Sequence, residues 1–137
     1  MTRFVLDASI VLTWCFPDEE SRKAEEISER IALGDRPAVT SFWRHEVLNA
    51  LLMGEKRKRL TSELIKTFIE DLARLPVEVD APDSTTVFQV TQGLCRKHGL
   101  TAYDAAYLEL AMRNRVALTT ADVALERAAR AEGIEII

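Results

Sequence analysis

The amino-acid sequence predicts an α/β domain built on a central parallel sheet of five strands with helices on both faces. Three observations carry that prediction. Short apolar runs with strand character alternate with longer helical stretches along the whole chain. Such alternation calls for crossover connections, which leave the strands parallel and pack helices over the sheet. No Pro-, Gly- or Ser-rich stretch divides the chain, and 137 residues is an ordinary domain length, so residues 1–137 read as one domain.

The first strand is read at residues 3–7, where Phe4, Val5 and Leu6 form an apolar run, and a short helical stretch follows and ends before Pro17. Asp18 is placed to cap a helix through EESRKAEEISERIAL, with Gly34 behind its last turn. AVT (38–40) reads as the second strand, and Ser41 is placed to cap an apolar helix running to about Gly54. Thr61 or Ser62 opens a further helix, stopped by Pro76. VEVD (77–80) reads as the third strand. A helix then runs from Asp83 or Ser84 to Gly99 and another from Thr101 to about Asn114. VALTT (116–120) reads as the fourth strand, residues 121–132 as the last helix and IEII (134–137) as the fifth strand.

Composition is that of a globular protein, 47% hydrophobic and 29% charged, without repeats or low-complexity tracts. A chain of this length buries enough surface to fold without a disulfide or structural metal. Cys15 and Cys95 form no CxxC pair and sit among apolar neighbours, which fits buried free thiols in a reducing compartment. The apolar stretch from Phe4 to Phe16 is interrupted by Asp7, too short to span a bilayer, and followed by no small-residue cleavage site. A cytoplasmic protein without membrane attachment is expected. The net charge of −4 differs from the basic balance of proteins that bind nucleic acid through phosphate contacts alone, although EKRKR (55–59) is a local basic run.

In parallel α/β sheets, ligands bind outside the carboxyl ends of the strands. Four carboxylates from distant segments are expected at that edge. Asp7 ends the first strand, Glu46 lies in the second turn of the helix after the second strand, Asp104 opens the helix before the fourth strand, and Asp122 follows that strand. Singly, each has a structural reading. Asp104 stands three residues after Thr101 as in a capping box, Asp122 suits a helix N-terminus, and Glu46 suits a surface ion pair with Arg44. Asp7, a charge inside an apolar run, is harder to explain that way. Four carboxylates at one edge repel and raise one another's pKa, and a divalent cation removes the conflict. Oxygen donors without Cys or His suit Mg²⁺ or Mn²⁺, and such a site suits metal-assisted phosphodiester hydrolysis.

The segments FVLDASIVLTWCFPDE, SFWRHEVLNALL, GLTAYDAAYLELA and LTTADVALERAA, in that order and approximate spacing, resemble the PIN-domain ribonucleases, in particular the VapC-type toxins of bacterial toxin–antitoxin pairs. The resemblance covers essentially the whole chain. It implies a three-layer α/β/α sandwich, RNA cleavage with Mg²⁺ or Mn²⁺, frequent homodimers and a small antitoxin partner that blocks the acidic site. Matched residue by residue, it assigns the acidic roles to Asp7, Glu46, Asp104 and Asp122; of these, Asp7 and Asp104 are expected to bind metal most directly. Ser9 and Thr120 match the hydroxyls that orient water or a carboxylate around it. Lys56, Arg57 and Arg59 of the basic run are expected to contact RNA or the partner.

Other readings are weaker. His45-Glu46 lacks the second histidine of a zinc-protease motif, since Asn49 stands four residues after His45. Trp14, Trp43, Tyr103 and Tyr107 read as core or dimer surface rather than base-stacking platforms. The alternative from another class is a phosphoacceptor signalling domain. It would use Asp7, Asp80 and Thr119 or Thr120 at strand ends, but it lacks paired acidic residues at the first strand and gives Glu46 and Asp104 no role.

Overall fold

A computed structural model describes residues 2–16 and 21–137. Among these, four strands form one sheet: β1 (Arg3–Leu6), β2 (Arg36–Val39), β3 (Glu78–Val79) and β4 (Ala117–Thr119). Their order is β3-β2-β1-β4 and every pairing is parallel. Helix α1 (Ala8–Cys15) and α2 (Arg22–Ala32) join β1 to β2, while α3 (Trp43–Lys56) and α4 (Ser62–Leu72) join β2 to β3. A wide π-helical turn, Thr86–Thr91, then runs into α5 (Gln92–His98), followed by α6 (Ala102–Asn114), β4 and α7 (Val123–Ala131).

Two successive steps in one direction and a return past β1 fix the layers. Right-handed crossovers place α1 to α4 on one face and α5 and α6 on the other. The contacts agree: α1 packs with α2 and α3, whereas α6 lies on β1 and β4 with α5 and α7 against it. The direction of winding reverses between β1 and β4, which makes the crevice at their carboxyl ends the natural ligand site. Because β1 is covered on both faces, Phe4, Val5 and Leu6 are all buried and the strand reads as an unbroken apolar run.

The expected fifth strand is reduced to a single bridge between Ile136 and Leu118. Gly133 N–H and Ile134 N–H donate to Arg130 and Ala129 carbonyls in the last turn of α7, so too few residues remain to extend a ladder. Some helix starts also differ. Asp18 lies outside the described residues, and α2 is capped by Ser21, whose side chain accepts from Ala24 N–H at 3.2 Å. Ser41 does not cap α3. A turn at residues 41–42 intervenes, and Phe42 holds the cap position without a side-chain bond. Thr61 caps α4 through Leu64 N–H, and Thr101 caps α6 through Asp104 N–H.

Both cysteines are free; Cys15 is buried and Cys95 half-buried. Burial, with a smaller contribution from Asp71, pushes the Cys15 thiol up to about 11. Among the described residues no helix is long and apolar enough to cross a membrane.

Gly54 does not end α3, which continues to Lys56. Its missing side chain makes room for the Phe16 ring, because a Cβ there would lie 2.7 Å from a ring carbon. Helix propensity alone makes Gly54→Ala stabilising by about 1 kcal/mol. Steric overlap with the buried ring reverses the sign, and a loss of about 1–3 kcal/mol is expected in urea unfolding. An unchanged or higher midpoint would show that Phe16 yields without cost.

Candidate active site

Asp7 stands where β1 ends, and its backbone N–H donates to Thr119 O on β4 at 3.1 Å. Its buried carboxylate accepts two hydroxyl protons on the same oxygen. Ser9 Oγ donates to Oδ2 at 2.7 Å and Thr120 Oγ1 donates to it at 2.6 Å. Each hydroxyl then accepts a backbone N–H, Ser9 from Ala121 at 2.9 Å and Thr120 from Asp122 at 3.0 Å. The segments leaving β1 and β4 are thereby tied through one carboxylate oxygen. Burial pushes the Asp7 pKa upward; the hydroxyl bonds oppose that, and Asp122 adds repulsion.

Glu46 sits in the first turn of α3 rather than the second, because the helix begins two residues later than Ser41. Half-buried, it accepts a hydrogen bond on Oε1 from the hydroxyl of Tyr107. Its pKa is raised by burial first, lowered by the Tyr107 bond, and raised again by Asp7 and Asp104. The Tyr107 hydroxyl is in turn pushed well above its ordinary range by burial and by donating to Glu46. Thr40, at the exit of β2, is buried, and its Oγ1 makes no hydrogen bond of good geometry among the described residues.

Asp104 lies half-buried in the first turn of α6. Burial raises its pKa, and Asp122 and Asp7 raise it further. Asp122 is the N-cap of α7, with Oδ1 accepting from Leu125 N–H at 3.0 Å. The carboxylates of Asp7, Glu46 and Asp104 therefore each feel at least one of the others, and Asp122 acts on Asp7 and Asp104. Like charges also hold one another apart. Among the described residues no three His, Cys, Asp or Glu side chains are drawn together tightly enough to enclose an ion. In kind the donor set, all carboxylate and hydroxyl oxygen, fits a hard divalent cation and not zinc.

Sequence reasoning missed two residues. Tyr107 reads as core from its pattern and is fully buried, yet its hydroxyl reaches Glu46; the available signal was its position one helical turn after Asp104. Lys23, in the first turn of α2, donates to Thr120 O at 3.2 Å and lies 3.6 Å from Glu126, a cation brought to the acidic edge from a segment without a motif. Lys56 and Arg57 are exposed at the other end of α3, about 15 Å along the axis from Glu46. Arg59 stacks its guanidinium over Phe16 at 4.3 Å. His45 is exposed, and His98 pairs with Glu132 at 2.6 Å, at the opposite end of α7 from Asp122.

Fold and site together define a small α/β domain in which Asp7, Thr120 and Asp122 are joined by hydrogen bonds at the winding reversal of its sheet. The chain belongs to the PIN domain family, which it matches over residues 4–131. It is 28% identical over 120 residues to ribonuclease VapC3 of Pyrobaculum aerophilum, covering 88% of this chain and 89% of that protein. Its fold resembles PAE2754 of Pyrobaculum aerophilum, with TM-score 0.72 and 20% identity over 98% of this chain and 83% of that one. It also resembles VapBC2 of Rickettsia felis, solved bound to a DNA fragment from their promoter, with TM-score 0.68 and 13% identity over 99% and 98% of the two chains.

The raised Asp7 pKa has a consequence for stability. A carboxyl whose folded pKa lies above its unfolded value contributes stability below the unfolded pKa and loses it as pH rises through the folded one. Asp7→Asn, neutral at every pH and still able to accept the two hydroxyl bonds, is expected to melt higher than the parent at pH 7 without metal. That advantage should vanish towards pH 3. An equal or lower melting temperature at pH 7 would contradict the sign.

Proposed function

We propose that this protein is a metal-dependent endoribonuclease and the toxin of a toxin–antitoxin pair. It hydrolyses RNA phosphodiester bonds at the edge formed by Asp7, Glu46, Asp104 and Asp122. The observation that carries this reading is the Asp7 carboxylate, fixed by Ser9 and Thr120, its pKa raised by burial first and by Asp122 to a lesser degree. The relative named ribonuclease VapC3 and the VapBC neighbour support the activity and a small antitoxin as partner. A homodimer acting in the cytoplasm fits the same reading.

Asp7 and Asp104 would hold Mg²⁺ or Mn²⁺, with Glu46 and Asp122 completing the site directly or through water. A bound ion of this kind acidifies water and neutralises charge on the scissile phosphate. The chain's own groups supply alignment. Ser9 and Thr120 fix the rotation of the Asp7 carboxylate by holding Oδ2, and Tyr107 fixes Glu46. Asp122 spends one oxygen on the α7 cap, which sets the direction of the other.

The phosphoacceptor alternative loses its basis in the topology. Signalling domains of that type have strand order 2-1-3-4-5, whereas β3-β2-β1-β4 puts β2 between β1 and β3. Asp80, which would be needed at the site, is clamped by Arg113.

Asp7→Asn is expected to lower RNA cleavage in Mg²⁺ by about 100-fold or more, and Thr120→Val by about 10- to 100-fold. Purified, folded Asp7→Asn that cuts at the parent rate would overturn the assignment. Lys56, Arg57 and Arg59 are assigned to RNA or partner contact outside the acidic edge. Changing all three to Gln should weaken one of those affinities and flatten its salt dependence. Unchanged affinities for both would remove that role.

A further inference from the structure

Beside the carboxylates, over the exits of β2 and β3, lies a cavity of about 320 Å³. That volume is at the small end of ligand-binding pockets. Phe42 and Tyr103 form one wall, their rings 5.2 Å apart and nearly perpendicular, and Val87 from the π-helical turn and Ala106 contribute apolar surface. Tyr103 is 62% exposed, although it is an aromatic residue flanked by small ones on a helix packed in the core. Its neighbour in sequence is Asp104. Phe42 also touches the ring of Tyr107, which holds Glu46, so the aromatic wall and the acidic edge are continuous.

The polar lining holds two carboxylates and the hydroxyls of Thr40, Ser41 and Thr91. Asp80 and the buried Glu109 both border the cavity. Arg113 fixes them with its fork, donating Nη1 to Asp80 at 3.0 Å and Nε and Nη2 to Glu109 at 2.8 and 2.9 Å. The guanidinium offsets one of the pair's two charges without consuming all their lone pairs, and among the described residues no cationic side chain lines the cavity. The space therefore offers a ring face for stacking and carboxylate acceptors for N–H donors, with hydroxyls beside them. A second phosphate would meet the remaining negative charge.

We propose that this cavity seats a nucleobase whose exocyclic amine stands where uracil and guanine carry a carbonyl oxygen, adenine or cytosine, from a nucleotide flanking the phosphate held at the acidic edge. The ring stacks on Tyr103, and its amine donates towards Asp80 or Glu109. Uracil, which presents a carbonyl oxygen where these bases present the amine, opposes lone pair to lone pair and is disfavoured. Tyr103 is thus a specificity residue of the site, and its exposure departs from the core role its sequence pattern suggests. The inference rests on the ribonuclease reading for the neighbouring phosphate, but base binding itself does not require cleavage.

Nucleosides separate the two. Adenosine and cytidine, which carry no phosphate, are titrated into the metal-free protein alongside uridine and followed by NMR. Stacking on an aromatic ring supports an affinity loss of about 5- to 150-fold in Tyr103→Ala, with Tyr103→Phe close to the parent. Adenosine and cytidine should bind at least several-fold tighter than uridine, and sequenced ends of cut RNA should lose their base preference in Tyr103→Ala only. Equal binding of all three nucleosides, or binding indifferent to Tyr103→Ala, overturns the proposal even if the parent cuts RNA. Conversion of a parent dimer to a monomer by Tyr103→Ala also overturns it, since a second copy would then cover the cavity. A parent that binds adenosine through Tyr103 but cuts no RNA sinks the nuclease reading and leaves the base site standing.

Discussion

One carboxylate oxygen organises this molecule's working edge. Asp7 Oδ2 accepts protons from Ser9 and Thr120, and those hydroxyls accept the N–H groups of Ala121 and Asp122. Hydrogen bonds to a charged acceptor are the strong kind, and here they lie where water competes little. They also solve a problem of backbone accounting. The chain leaving β4 must turn without a strand neighbour, and two hydroxyls aimed at Asp7 satisfy its amides. The acidic group that resists burial is also what holds the site's two halves in register.

Much of this was legible in the sequence. Unbroken apolar runs marked buried parallel strands, and Thr61, Thr101 and Gly99 marked helix boundaries. Asp7 stood out because a charge within an apolar run has few structural uses. The failures share a cause. IEII has strand composition, but the turn that closes α7 takes the residues needed for a ladder. Gly54 resembles a helix stop locally, whereas its purpose is set by Phe16, 38 positions away in the chain. Tyr107 and Lys23 belong to the site through contacts with Glu46 and Thr120 O that no local pattern encodes.

Charge balance takes on a sharper meaning once residues have places. A net charge of −4 argues poorly for an RNA-binding surface, yet Asp7 and Asp104 lie where burial, with a smaller contribution from neighbouring carboxylates, raises their pKa. Arg113 bonds two further acids, Asp80 and Glu109, and offsets one of their charges, and Glu132 is met by Lys97 and His98. The distribution matters more for recognition than the sum.

The return of the chain past β1 has a consequence in time as well as in space. β1 is the first strand to be made, but the edge it offers to β4 has no partner until residues 117–119 exist, and the Asp7–Thr120 bond joins positions 113 apart. Closing so long a loop comes late in folding. During synthesis the pairing that seats Thr120 beside Asp7 therefore forms only after residues 117–120 have been made.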